Sequence, residues 1–294
     1  MSDEILPSWR PGATRDAIVA FLDAAADVPV ERRVACFDND GTLWSEKPNY
    51  VQLEFFVDAM KGAIKADPSA AERPEFAALI SGDQAAIGEI GLERIAYALT
   101  GLFAGLTPEE FTARVQDFMS RTKAPTYLPM LELVDELRRR EFTVCVVTGG
   151  GTEFVRAISH DLYGVPAQNV VGSLIAYEFV PTSDEGGPAL RRTSDLVAGA
   201  NEGAVKVNNI QMQLGRRPIF AAGNSGGDRE MLEWVAAGTG PTLAVLVDHD
   251  DAEREAAYVS TAATFTEPEP ITAVGARLGW TVVSMRDDWA AVWS

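Results

Sequence analysis

Arg33-Val34-Ala35-Cys36-Phe37-Asp38-Asn39-Asp40-Gly41-Thr42-Leu43 is the stretch that decides the fold. Its first half is a short continuous apolar run, the pattern of a strand buried on both faces. Asp40-Gly41 is a turn signal that stops the strand. Residues 14–27, just before it, read as a helix leading in. Two carboxylates, Asp38 and Asp40, are thus left at the carboxyl end of a buried strand, where ligands of open α/β sheets bind.

Working outward, the same alternation returns only after Pro129. Met130, Leu133, Val134 and Leu137 line one helix face, with Arg138-Arg139-Arg140 suited to its C-terminal end. Thr143-Val144-Cys145-Val146-Val147-Thr148 is a second buried strand, followed by Gly149-Gly150-Gly151. A strand region spans roughly 169–180, with a hairpin over Thr182 to Pro188. Helix 204–214 precedes strand Pro218-Ile219-Phe220-Ala221-Ala222, helix 228–237 precedes strand Leu243 to Val247, and a strand near 281–285 and a short helix close the chain. Short apolar strands separated by helices predict an α/β core with a parallel sheet covered on both faces.

Between Asn49 and Lys123 no strand pattern is found. Leu53, Phe56, Val57, Met60 and Ile64 fall at helical spacing, and further helices are expected near 72–80, 84–103 and 108–121. The last opens with Thr107-Pro108-Glu109-Glu110: an N-cap, a proline at the first helical position and a capping-box glutamate. This is a helical insertion of about eighty residues, within the usual size of a small domain.

The strand ends carry the chemistry. Beside Asp38 and Asp40, Thr148 and Gly149 end the second strand. Gly223-Asn224-Ser225-Gly226-Gly227-Asp228 follows the strand at 218–222, and Lys206 begins the helix before it. Hard oxygen ligands of the Asp-x-Asp kind suit magnesium, which also binds substrate phosphate. Thr148 and the glycine N–H groups after it can cradle phosphate oxygens at a helix start, and Lys206 can neutralise the transferred group. Each piece has a plainer reading. Asp-x-Asp-Gly occurs in turns and in calcium loops, although Cys36 and Lys47 stand where an EF-hand needs acidic ligands. The triple glycine can be a simple turn, Lys206 a surface lysine, and Asp228 a helix cap. Their joint placement at successive strand ends favours the chemical reading.

The chain has 294 residues, a formal net charge of -18 and 47% apolar residues. That charge argues against a nucleic-acid partner, which needs clustered Lys and Arg. Met1-Ser2-Asp3-Glu4 lacks the basic start of a signal peptide, and no apolar run reaches transmembrane length, so neither a signal peptide nor a membrane is expected. Cys36 and Cys145 lie in apolar strands and read as small buried hydrophobes in a reducing, cytoplasmic setting.

Phe37-Asp38-Asn39-Asp40-Gly41-Thr42-Leu43 resembles the first motif of the haloacid dehalogenase (HAD) superfamily, in particular its phosphoserine-phosphatase-like hydrolases. Thr148 is similar to the second motif, Lys206 to the third, and Gly223 to Asp228 to the fourth. The resemblance implies a three-layer Rossmann-like core over 1–46 and 124–294, with an inserted helical cap domain over 47–123. It implies a Mg2+-dependent phosphoric monoester hydrolase acting on a small phosphorylated metabolite. Asp38 is then the nucleophile that becomes an aspartyl phosphate. Asp40 is the general acid and then base, and it distinguishes a phosphatase from a true dehalogenase. Thr148, Gly149 and Lys206 hold the phosphoryl group. Asp38, Asp40 through its carbonyl, Asn224 and Asp228 hold the metal. Asn224 stands where the family usually has aspartate, which removes one negative charge from the site. Trp44 and Glu46, with Lys47 and Tyr50, lead from the first motif toward the cap and are expected to choose the substrate. His249 follows a strand and could approach the site; the favoured expectation is a loop histidine, with Asp250 or Asp251 capping a following helix. A phosphotransferase or phosphomutase using the same Asp38, and a non-catalytic phosphate-binding regulator, are the competing readings. Substrate and oligomeric state stay open.

Overall fold

Seven strands carry the architecture: β1 (Val34–Phe37), β2 (Thr143–Gly151), β3 (Val170–Val180), β4 (Ala189–Val197), β5 (Phe220–Gly223), β6 (Leu243–Asp248) and β7 (Thr281–Ser284). The computed structural model describes residues 5–182 and 187–294; Met1-Ser2-Asp3-Glu4 and the tip of the expected hairpin, residues 183–186, lie outside them. The chain divides into two units. One comprises 1–48, 123–172 and 200–294, the other 49–122 and 173–199.

In the first unit the start of β3 lies beside β2, and the order continues β2-β1-β5-β6-β7. From β2 to β7 every neighbouring pair is parallel, with Cys36 opposite Cys145 and Phe37 opposite both Val146 and Ala222. Successive side chains of a strand point to opposite faces, so β1 feeds two cores. Val34 and Cys36 join Cys145, Val147, Ile210, Leu232 and Val274 on the face covered by helices Ala204–Leu214, Arg229–Ala236 and Ile271–Leu278. Phe37 packs with Phe220 at 5.1 Å and Phe220 with Phe21 of helix Ala13–Ala24 at 5.7 Å between ring centroids. Both β1 faces are therefore dry, as its unbroken apolar sequence requires. Both cysteines are unpaired and buried. Among the described residues no helix is long and apolar enough to cross a membrane.

The order of elements follows the expected alternation, with three corrections. β2 runs on through Gly151 instead of stopping at Thr148, and Gly172 of β3 packs so close to it that a Cβ there would sit 2.9 Å from the Gly150 carbonyl. The helix Ile271–Leu278 was not anticipated. No helix follows Asp250 and Asp251; Asp251 caps a turn, accepting from the Glu253 and Arg254 amides at 3.2 and 3.1 Å.

The second unit holds helices Val51–Ala66, Pro74–Ser81, Gln84–Ile90, Leu92–Thr100 and Pro108–Ser120. The single helix expected over 84–103 is broken because Gly91 takes a φ of +86°, open to glycine and costly for other residues. Met60, Phe76, Ile95 and Leu99 form its core with Phe56, Val57 and Ile64. Leu53 is instead exposed at 38%, and Phe55 is the buried residue of that turn, stacked on Phe103 at 4.8 Å. The antiparallel β3–β4 pair from Ser173 onward belongs to this unit as well. Arg192 of β4 explains why: its amide donates to the Leu106 carbonyl, its carbonyl accepts from Gly105, and its guanidinium lies 4.5 Å from the Phe111 ring centroid.

The Thr107 cap is formed as expected, with the Glu110 amide donating to Thr107 Oγ1 at 3.2 Å and the Thr107 amide to Glu110 Oε2 at 2.8 Å. Thr107→Ala is expected to cost about 1 kcal/mol, read as a lower denaturant midpoint with unchanged secondary structure by circular dichroism.

Candidate active site

Of the functional residues expected from sequence, all but Tyr50 lie in the first unit. β1 ends at Phe37, and the Asp38 amide still donates to the Ala222 carbonyl at 2.8 Å, which holds the next residue against β5. Lys206, on the first turn of helix Ala204–Leu214, reaches the same point and is only 2% exposed. Its ammonium donates to Asp38 Oδ1 at 2.5 Å, to Asp228 Oδ1 at 2.6 Å and to the Val147 carbonyl at 3.0 Å. All three N–H bonds of the ammonium are thereby used.

Burial and the neighbouring charge of Asp228 push Asp38 well above the usual carboxylate range, against the pull of Lys206. Burial by itself would lower the Lys206 ammonium, but the two carboxylates more than reverse this and raise it. Asp38 Oδ2 makes no hydrogen bond among the described residues. It is the oxygen left for chemistry.

Asp228 is fully buried and organises the turn after β5. Its Oδ2 accepts from the Asn224 and Ser225 amides at 3.0 and 3.1 Å. A Cβ on Gly223 would lie 2.5 Å from the Asp228 Cβ, so that position needs glycine. Both Asp228 oxygens are therefore occupied by protein donors. Asn224 donates from Nδ2 to Ser260 Oγ at 3.1 Å, and its Oδ1 accepts no hydrogen bond among the described residues. Asp38 Oδ2 and Asn224 Oδ1 are thus hard oxygens without protein partners, the donor type magnesium takes. Among the described residues no three His, Cys, Asp or Glu side chains are grouped to hold an ion.

Thr148 is buried, and its Oγ1 accepts from the Gly150 amide at 2.9 Å. This overturns one expectation: the Gly150 N–H turns back on Thr148, which leaves the hydroxyl proton of Thr148 for an anion. Asn201, which the sequence did not single out, donates to the Thr148 carbonyl at 2.9 Å and accepts from Asn209 at 2.9 Å.

Asp40 is partly buried. Trp44 Nε1 donates to its Oδ1 at 2.9 Å, and Asn39 Nδ2 lies 3.4 Å from its Oδ2. Burial pushes Asp40 up to about 6; the Trp44 and Asn39 donors pull it down and the Glu46 charge pushes it up. Trp44 is only 1% exposed, so it sits behind Asp40, away from solvent. Glu46 is buried against Gly41, where a Cβ would lie 3.2 Å from the Glu46 carboxyl carbon and would overlap Asn224 Nδ2. Lys47 rests its ammonium 4.1 Å above the Tyr258 ring.

His249 stands in the loop after β6, as expected, but is turned inward. It is 2% exposed, and its Nε2 lies 2.9 Å from the Gly41 carbonyl, which can only accept. Its Nδ1 faces Glu255 Oε2 at 3.3 Å. Glu255 is tied in turn by Tyr127 and Ser45, both at 3.0 Å.

A family model described as haloacid dehalogenase-like hydrolase matches residues 35–233. Among solved structures, the chain is similar to a protein with unknown function from Bordetella pertussis Tohama I, with 20% identity over 86% of this chain and 98% of that one and a TM-score of 0.54. It is also similar to a probable phosphoserine phosphatase from Vibrio cholerae (14% identity, 87% and 67% covered, TM-score 0.44). A third likeness is to cytosolic 5'-nucleotidase IIIB bound to cytidine (16% identity, 84% and 83% covered, TM-score 0.42). No curated protein matches the chain.

Lys206→Met removes the only charge that balances Asp38 and Asp228 within this array. Breaking a buried ion pair in this way costs about 3–5 kcal/mol. A carboxyl with a raised folded value binds its proton at higher pH in the folded than in the unfolded chain, so acidification favours the folded form. The deficit in urea midpoint is therefore expected to be largest near neutral pH and to shrink as the pH falls.

Proposed function

This chain belongs to the family of haloacid dehalogenase-like hydrolases, and from that premise we propose that it is a magnesium-dependent phosphatase cleaving small phosphate monoesters through a phosphorylated Asp38. The observation that carries the reading is a buried carboxylate, Asp38, with one oxygen fixed by Lys206 and the other unengaged. An immobile carboxylate of that kind, in reach of an acid, is the layout of covalent catalysis.

Asp38 Oδ2 attacks phosphorus while the bond from phosphorus to the leaving oxygen breaks. Asp40 passes its proton to that oxygen. Its raised value of about 6 leaves a share of the acid form near neutral pH, which is what a general acid needs. Asp40, now ionised, takes a proton from water, the water oxygen attacks phosphorus, and Asp38 is released with inorganic phosphate. Thr148 donates its hydroxyl to a phosphoryl oxygen, and Lys206 offsets the charge that builds on the group.

Two carboxylates face one ammonium in this array, so it carries no surplus positive charge for a phosphate anion. The Asp38 carboxylate, the Asp40 carbonyl and Asn224 Oδ1, with Asp228 behind them, would hold magnesium, which would supply that charge when bound. The helical unit, inserted in the chain where the family inserts its cap, is assigned the choice of substrate along with Glu46. The two free buried cysteines support a cytoplasmic setting.

A panel of phosphorylated metabolites, assayed for phosphate release with and without magnesium, tests the proposal; parallel assays with added alcohols separate hydrolysis from transfer. Asp38→Asn is expected to abolish release, and acid-quenched mass spectrometry of the unaltered chain to locate phosphate on Asp38. Asp40→Asn is expected to lose about a hundred- to ten-thousand-fold in kcat/KM. Because the acid form is the active one in the first step, kcat/KM should fall as the pH rises past about 6, and that limb should vanish in Asp40→Asn. Release of no phosphate from any ester would sink the reading.

A further inference from the structure

An indole N–H can only donate. Trp44 Nε1 lies 2.9 Å from Asp40 Oδ1, so Oδ1 is the oxygen that accepts in either protonation state, and in the acid form the proton sits on Oδ2. The indole is held from several sides. The Gly41 amide donates to the Trp44 carbonyl at 2.9 Å and closes residues 40–44 into a tight loop. Trp44 makes isolated β-bridges with both Asp40 and Thr126, and its ring meets Tyr163 edge-on at 6.5 Å and 76°. Tyr163 donates to Asn39 Oδ1 at 2.9 Å, which turns the Asn39 amide nitrogen toward Asp40 Oδ2 at a long 3.4 Å. A donor at that distance holds Oδ2 only weakly, so this oxygen is the one able to exchange a proton.

We infer that Trp44 is a positioning residue that selects Oδ2 of Asp40 as the oxygen delivering the proton to the leaving group. The inference rests on the phosphatase reading above. Trp44 is 1% exposed and touches the chemistry only through Asp40, which replaces the sequence-based expectation that it contacts substrate. In the step concerned, the bond from phosphorus to Asp38 forms, the bond to the leaving oxygen breaks, and the proton moves from Asp40 Oδ2 to that oxygen. Without the indole donor the carboxyl group can turn, and the proton is no longer held on the oxygen that faces the leaving group.

The test uses leaving groups that differ in their need for a proton. Trp44→Phe in the full chain keeps most of the ring and removes the N–H. Its kcat/KM reports steps up to phosphorylation of Asp38. For glycerol phosphate, whose alkoxide must be protonated, a fall of about ten- to a hundredfold is expected, part of the full general-acid contribution. For p-nitrophenyl phosphate, whose anion leaves unaided, a change below about threefold is expected on the same ground. Equal losses on both esters, or no loss on glycerol phosphate, would overturn the assignment. If Trp44→Phe does not fold, benzothienylalanine installed at position 44 decides the matter, since it keeps the indole shape with sulfur in place of N–H. An unaltered chain that hydrolyses neither ester overturns the phosphatase reading and this assignment with it. One that is active, with a variant showing no difference between esters, overturns the assignment alone.

Discussion

The first unit is organised around one buried ammonium. Lys206 sits between Asp38 and Asp228, and its third N–H bond is taken by the Val147 carbonyl. In a dry interior such an array is tolerated only when geometry and hydrogen bonding are nearly complete. That requirement reaches far along the chain. It fixes the end of β1, the middle of β2 at Val147, the first turn of helix Ala204–Leu214 and the turn after β5 relative to one another. A sheet buried on both faces supplies the necessary rigidity, because close-packed layers do not deform gradually. The core is therefore what sets the position of the Asp38 carboxylate, and sheet register fixes it relative to Lys206 and Asp228.

Asp228 shows how the same demand reshapes a role inferred from a motif. A carboxylate in this segment invites a reading as a metal ligand. Its Oδ1 is held by Lys206, and its Oδ2 closes the Asn224–Ser225 turn. It orients other groups more than it offers oxygens of its own. Asn224, held through its Nδ2 by Ser260, presents the unengaged Oδ1. The loss of a charge at Asn224 is thus accompanied by a defined amide orientation, a substitution that a charge count alone would misjudge.

What was legible in the sequence was whatever is decided locally. Apolar runs stopped by turn residues mark the strands, the Thr107–Glu110 box marks a helix start, and helix 204–214 has the expected bounds. Hidden features are those set by partners distant in sequence. His249 meets Gly41 across 208 positions, and no local pattern around Val247-Asp248-His249-Asp250 records that contact. The exchange of Phe55 for Leu53 in the second unit depends on Phe103, nearly fifty residues away. Arg192, which no sequence motif singles out, ties β4 to the helices of its unit through a backbone clasp with Gly105 and Leu106. Trp44 is an intermediate case. Its proximity to Asp40 follows from sequence, but its direction, inward and toward the carboxylate, does not.

Gly41 is where these separate constraints meet. Its φ of +75° is a conformation glycine adopts without strain. Its Cα faces Asn224 and Glu46, where a side chain has no room. Its N–H is committed to the Trp44 carbonyl and its carbonyl faces His249. Four independent demands, on torsion, on volume, on a donor and on an acceptor, thus fall on one residue between the Asp40 carboxyl group and the turn that carries Asn224. Relaxing any one of them moves Asp40 or Asn224 first, since those are its nearest neighbours in chain and in space. The Asp-x-Asp-Gly pattern is hence more than a turn signal here: the glycine is the joint through which the Asp40 carboxyl group and the Asn224 amide keep a common frame.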